Sequence, residues 1–272
     1  MRRPKLVFGL AVFAVVAVVA VVAVAAPLLL STAPDALNVS ARLQAPSAEA
    51  WFGTDEFGRD VFARVIYGGR LSLGIGAATA ILSSLFGVAL GLLAGFSAPL
   101  DRVLSRINDA MMSFPDILLA IALVAALRPS MANVVFALGV VYTPRMARMV
   151  RASTLVIREL PYVEAARALG VSTWRILLVH ALRNLLSPII VQATFVFAFA
   201  MLAEAGLSFL GVGISPATPN WGTMISAARP YYREADWLAL APGLAIMITV
   251  FALQLVGDAL RDLLDPRLRG SQ

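Results

Sequence analysis

The sequence predicts an all-α integral membrane protein of six transmembrane helices with both termini in the cytoplasm. Three observations carry that prediction. Hydrophobic residues fill 60% of the 272 positions and charged residues only 14%, far from the balance of a soluble domain. Apolar runs long enough to cross about 30 Å of hydrocarbon recur along the chain. The basic residues between those runs fall unevenly on alternate sides, as positive-inside topology requires.

The first run, 6–30, follows Arg2, Arg3 and Lys5. Ala23-Val24-Ala25 could serve a signal peptidase, but the run is about twice the length of a signal-peptide core, so it is read as an uncleaved N-terminal transmembrane helix, 1–30. Residues 31–70 then form an extracytoplasmic segment. Within it, the stretch from Thr54 places Phe57, Val61 and Val65 on one face among Asp55, Glu56, Arg59 and Asp60, and Gly68-Gly69 ends it. That is the pattern of a short amphipathic helix lying at the membrane surface.

The second span is expected at 71–96. Gly87, Gly91 and Gly95 recur there every four residues, a small-residue ridge on which a second helix can pack closely. The next two runs, 111–127 and 131–150, are weaker. Asp116 interrupts the first, and Arg145 and Arg148 shorten the second, so they are either two full spans or a re-entrant pair. In both cases the chain returns to the side it left. Asp109, Asp116 and Asp258 fall near the cytoplasmic ends, where Arg106 and Arg261 are within reach as partners.

The following loop, 151–184, is polar and rich in alanine between two apolar runs. Pro161 suits the first turn of a helix and Gly170 the left-handed residue that ends one. Glu164 and Arg167, three apart, can pair at its edge. Ala165, Ala166 and Ala168 leave its backbone nearly bare. Bare backbone lets another protein approach closely, although the same alanines would serve as plain helix formers in a solvated loop. Ser172 can cap a second helix through Trp174, 176–179 and Leu182.

The fifth span, 185–214, contains Glu204. About nineteen residues beyond Leu185, roughly 28 Å along a helix, it falls near the outer boundary. An ionisable group inside an apolar run is a candidate for the translocation path, or else a carboxylate paired at the membrane edge. The loop 215–236, with Pro216, Pro219, Trp221, Tyr231 and Tyr232, and with Trp237 just beyond it, reads either as an aromatic interfacial anchor or as a contact for a partner. The last span is 237–256. The five later spans and their loops thus make one core, 71–262, followed by a cytoplasmic tail, 263–272. With the N-terminus inside, fifteen of the 22 Lys and Arg residues are cytoplasmic and seven are outside, which fixes the orientation.

Composition also excludes chemistry. With no cysteine and one histidine, His180, there is no thiolate nucleophile and no metal site of recognisable spacing, and no catalytic residue is assigned. The net charge of +6 is dispersed between apolar segments, so nucleic acid is not the expected partner and membrane lipid is. A phosphate-binding loop needs a lysine, yet Lys5 is the only one. The chain itself is therefore not read as an ATPase.

The segments EAARALG (164–170) and the amphipathic run ending in H-x-L-x-N (180–184) resemble the loop signature of the permease subunits of bacterial ABC importers. WFGTDEFGRDVFARVIYGGRLSL (51–73), FPDILLAIAL (114–123), EAGLSFLGVGISPATPNWGTMI (204–225) and GDALRDLLDPRLR (257–269) resemble the dipeptide/oligopeptide/nickel permease family, in their usual order. The GTDEFGRD segment is most similar to the C-type permease of the pair. That resemblance implies a type I permease-like fold in the bacterial inner membrane, forming half of a translocation pathway for peptides. Relatives with this signature also carry nickel chelates, glutathione and opines.

The resemblance further implies a second permease subunit, two ATPase subunits that bind ATP and magnesium, and an extracytoplasmic substrate-binding protein. Glu164, Ala165, Ala166, Arg167 and Gly170 would belong to the coupling helices that sit in a groove of the ATPase. The family commonly has proline where this chain has Arg183. Two other classes compete. A self-sufficient secondary transporter would show an internal repeat and buried ionisable residues near the midplane, and a membrane-embedded enzyme would need reactive groups; neither set is evident here.

Overall fold

The computed structural model describes residues 33–214 and 218–264, together with positions 21 and 25. The first span expected at 6–30 and the tail expected at 263–272 lie almost entirely outside them. Among the described residues the chain is helical throughout, with no strand beyond an isolated antiparallel bridge between Thr54 and Asp60.

Helix α1 runs from Val61 to Phe96, 36 residues, or about 54 Å. It begins ten residues before the expected span because Asp60 caps it, its carboxylate accepting from the Phe62 N–H at 2.9 Å. The separate amphipathic helix expected from Thr54 to Gly68-Gly69 is not formed. Residues 54–60 make a turn instead, and the two glycines lie inside α1. Gly68 is accommodated there because the chain at Asn220 crosses against it, and a Cβ would stand 3.2 Å from the Asn220 Cα.

Helix α2, Ala98–Met112, breaks at 113–115 and turns by 95° into α3, Asp116–Leu127. Pro115 precedes α3 and disfavours helix at the residue before it, so the continuous run expected from 111 is split. A tight turn follows, in which the Asn133 amide donates to the Leu127 and Arg128 carbonyls at 2.7 and 2.9 Å. Helix α4, Met131–Ile157, extends seven residues past the expected span.

A short helix, α5, covers Pro161–Ala168. One helical turn at Thr173–Arg175 and a widened π segment at Ile176–Ala181 then lead into α6, Leu182–Phe209. Arg183 lies in the first turn of α6. The helices thus invade both ends of the expected loop 151–184. Helix α7, Trp221–Ala228, is closed at its start by a reciprocal cap between Asn220 and Thr223, and α8 covers Trp237–Leu264.

By length and composition α1, α6 and α8 can each cross a membrane, and the bent pair α2 and α3 makes a fourth candidate. At 27 residues, about 40 Å, α4 is long enough, but Arg145, Arg148 and Arg151 make its second half polar. The described residues therefore support several apolar crossings.

Three apolar clusters line the length of α1. Val61 and Val65 pack with Trp221, Met224 and Leu238; Ile75 packs with Leu138, Tyr142, Val196 and Leu207; Leu92 packs with Met146, Val150, Ile157 and Leu185. Gly87, Gly91 and Gly95 all face α4. A Cβ on each would stand 2.5 Å from Met146 Cβ, 2.6 Å from Val150 Cβ and 2.5 Å from Thr154 Cγ2. The two helices therefore meet backbone against side-chain root, a contact only glycine permits.

Candidate functional site

Helix α5 is held to the bundle by one face and presents the other. Val163 is its only fully buried side chain, at 0% exposure, and it enters the cluster containing Leu92, Ile157, Ile176 and Leu185. Val163 and residues near the ends of α1, α4 and α6 therefore share one apolar cluster. Ala166 is half-buried against the same cluster, whereas Glu164, Ala165 and Arg167 are exposed.

The end of α5 is a Schellman motif. The Val171 N–H bonds to the Ala166 carbonyl at 3.0 Å and the Gly170 N–H to the Arg167 carbonyl at 2.9 Å. Gly170 has φ +76°, and a Cβ added to it would meet nothing within 4 Å, so glycine is required there by conformation and not by space. Glu164 and Arg167 do not pair among the described residues. The Arg167 guanidinium instead sits 5.9 Å from the centre of the Phe96 ring at the end of α1. The chain then exposes Leu169 by 83% and Trp174 by 65%. An apolar surface of this kind beside bare alanine backbone is suited to a protein partner.

Further bonds tie this knuckle to the helices. The Asn184 amide donates to the Tyr162 hydroxyl at 3.0 Å, and Arg158 Nη1 donates to the Gly95 carbonyl at 3.0 Å.

Glu204 is placed in a packed junction. It is fully buried on α6, accepting from the Ser208 hydroxyl at 2.7 Å and from the Ser72 hydroxyl of α1 at 3.5 Å. Ser72 in turn accepts from the Trp221 N–H at 3.3 Å, at the start of α7. One carboxylate thus links three helices. Trp221 is 3% exposed and donates through Nε1 to the Val65 carbonyl at 2.8 Å. It is a core residue, not the interfacial anchor expected of it, because α7 folds back between α6 and α8.

At the far end of α1 the GTDEFGRD stretch is a knot. The Asp55 carboxylate accepts from the Phe57 and Arg59 N–H groups at 2.8 and 3.0 Å and from Arg59 Nε at 2.6 Å. Arg64 Nε stands 3.6 Å from it. The Thr54 carbonyl accepts from Trp237 Nε1 at 3.3 Å, which joins the knot to α8. A small cleft of about 20 Å³ lies beside it, lined by Asp55, Glu56, Arg59, Arg64, Met224 and Leu238 among others.

Sequence reading missed a ladder of ion pairs. Arg145 reaches Asp116 at 2.5 Å and Arg148 reaches Asp109 at 2.6 Å. Arg151 grips Asp101 with two nitrogens, Nη2 to Oδ2 at 2.8 Å. The expected partner of Asp109, Arg106, is not its partner. The visible signal was the three-residue spacing of the arginines, which puts them along one side of α4, while Arg106 is exposed and forms no ion pair among the described residues. Among the described residues no group of His, Asp and Glu could hold a metal ion.

Comparison with known proteins places these features. Residues 87–270 match the family described as binding-protein-dependent transport system inner membrane component. The dipeptide transport system permease protein DppC of Alkalihalophilus pseudofirmus is 47% identical over 245 residues, covering 90% of this chain and 81% of that one. The di/tripeptide transport system permease protein DppC of Pseudomonas aeruginosa (strain UCBPP-PA14) is 44% identical, covering 84% and 76%. The glutathione transport system permease protein GsiD of Pectobacterium atrosepticum is 43% identical, covering 83% and 75%. In fold, the chain is similar to one in the inward-facing MetNI methionine ABC transporter, with a TM-score of 0.63 at 20% identity, covering 75% of this chain and 97% of that one.

Proposed function

The chain belongs to the family of binding-protein-dependent transport system inner membrane components, and from that premise we propose that it is a permease subunit of a bacterial ABC importer that carries peptides across the inner membrane. It forms half of the pathway beside a second, non-identical permease. An extracytoplasmic binding protein delivers the solute. Two ATPase subunits bind ATP and magnesium and supply the work, since the family is a transport component and not an ATPase.

The topology that goes with this reading has six spans: the run at 6–30, then α1, α3 with its bend, α4, α6 and α8, with both termini and the knuckle at α5 in the cytoplasm. The observation that carries the reading is the two-sidedness of that knuckle. Leu169 and Trp174 face outward at 83% and 65% exposure while Val163, fully buried, belongs to the apolar cluster that also holds residues near the ends of α1, α4 and α6. A partner that seats on the outer face and shifts moves those ends together, which is what exchange between inward and outward arrangements needs.

The test exploits the absence of cysteine. A single Cys placed at Ala165 should cross-link to the ATPase subunit in the assembled complex and resist membrane-impermeant thiol reagents applied to intact cells. Labelling from outside, or assembly with no cross-link, overturns the reading. Glutathione is the second substrate reading, favoured by the 43% identity to the Pectobacterium permease; competition between dipeptide and glutathione for uptake by the reconstituted complex separates the two.

A further inference from the structure

We propose that α2 is a binding site for anionic phospholipid, an interfacial helix on which Arg102 and Arg106 engage acidic headgroups of the cytoplasmic leaflet. The inference rests on the topology above, in which α3 and α4 lie in the membrane.

The direction of α2 comes from the break and the ion-pair ladder. It leaves α3 at 95°. Between its pairs with Arg151 and Arg148, α4 climbs about 4.5 Å while α2 travels about 12 Å from Asp101 to Asp109. The helix therefore runs more across α4 than along it, close to the plane of the membrane.

Charge and exposure identify the occupant. Both carboxylates of α2 are already neutralised, Asp101 by Arg151 and Asp109 by Arg148. Arg102 and Arg106, one turn apart, are exposed and form no ion pair among the described residues. Leu100, Val103 and Ile107 make a second exposed stripe, 42%, 58% and 51% accessible. At 100° per residue the arginines sit roughly 90–130° round the helix from that stripe. A helix with this division lies with its apolar side in the acyl boundary and its cations among headgroups. The two arginines are the part with no protein counter-ion, and a phosphodiester supplies one.

The experiment compares the purified permease–ATPase complex with its Arg102→Gln, Arg106→Gln double variant for retention of phosphatidylglycerol against phosphatidylcholine by native mass spectrometry. Each arginine near an anionic surface contributes about fivefold, so the variant should lose roughly 30-fold in phosphatidylglycerol affinity and none in phosphatidylcholine. Equal retention by both proteins overturns the proposal. So does efficient cross-linking of a Cys at Val103 to the second permease, which would show that a protein covers the stripe. ATP-driven uptake by the same two proteins reconstituted in phosphatidylglycerol-containing vesicles keeps the two readings apart. A complex that transports but ignores phosphatidylglycerol loses the lipid site alone, and one that binds it through these arginines without transporting loses the importer reading alone.

Discussion

The Asn184 amide and the Tyr162 hydroxyl meet at 3.0 Å across 22 residues of chain, so the knuckle is hydrogen-bonded to the helix it is placed to move. Tyr162→Phe and Asn184→Ala each remove about 1 kcal/mol or less from that link, since it is exposed. The ratio of peptide imported to ATP hydrolysed should fall modestly in each, and the double variant should lose less than the sum. Strictly additive losses would show that the two side chains act separately.

Gly170→Val should leave the chain inserted and abolish uptake. A β-branched residue at φ +76° is disfavoured by roughly 1–2 kcal/mol, whereas Asn tolerates that region. Uptake in the order Gly, Asn, Val checks the prediction, with membrane insertion measured alongside.

Gly91→Ala should destabilise the protein by about 1–3 kcal/mol through overpacking. Its new methyl would lie 2.6 Å from Val150 Cβ and 2.7 Å from the Ala147 carbonyl. Gly74→Ala, with nothing within 4 Å, should be neutral. Thermal unfolding in mild detergent reads the difference, and equal midpoints would remove the close contact from the stability of the bundle.

Glu204→Gln keeps an acceptor oxygen for one of the two serine hydroxyls and offers its amide N–H to the other, which can accept, so uptake should be close to wild type and equally flat across pH. Glu204→Leu leaves both hydroxyls short of their partner at a cost of about 1–3 kcal/mol and should lower the unfolding temperature. A large loss of uptake in the Gln variant with stability unchanged would instead put the carboxylate on the solute path.

Asp101 lies on the interfacial helix, outside the hydrocarbon, and the hydrogen bonds from Arg151 hold its carboxyl below the usual carboxylate range. An acid depressed in the folded state contributes its stabilisation above its unfolded pKa of about 3.9 and loses it as pH falls further through the folded value. Stability should therefore be insensitive to this pair between about pH 5 and 8. Asp101→Asn should flatten the acid limb of an unfolding-against-pH curve, and an unchanged acid limb would count against the pair.

The apolar runs that became α1, α4, α6 and α8 were legible because crossing hydrocarbon demands length and low polarity, and both are written locally. The end of α5 was legible for a similar reason: Gly170 answers a backbone requirement of its own turn. What could not be read depends on partners distant in sequence. Trp221 looks like any interfacial tryptophan until Val65, 156 positions earlier, supplies the carbonyl for its indole. The knot at 54–60 has the spacing of an amphipathic helix, and only the Asp55 cage and the Asp60 cap, seen in three dimensions, decide against it. Arg148 finds Asp109 39 positions away, a pairing invisible to a search for neighbours.

The glycine seam along α1 has a mechanical corollary. Helices pressed so close that a Cβ on the seam would have only 2.5–2.6 Å of clearance cannot slide past one another by a turn without driving side-chain roots into backbone, so α1 and α4 behave as a splint. Any stroke delivered from the ATP side must carry both as a single beam, and the give has to come from joints at either side of it: the right-angled elbow at 113–115 and the loosened coil at 176–181.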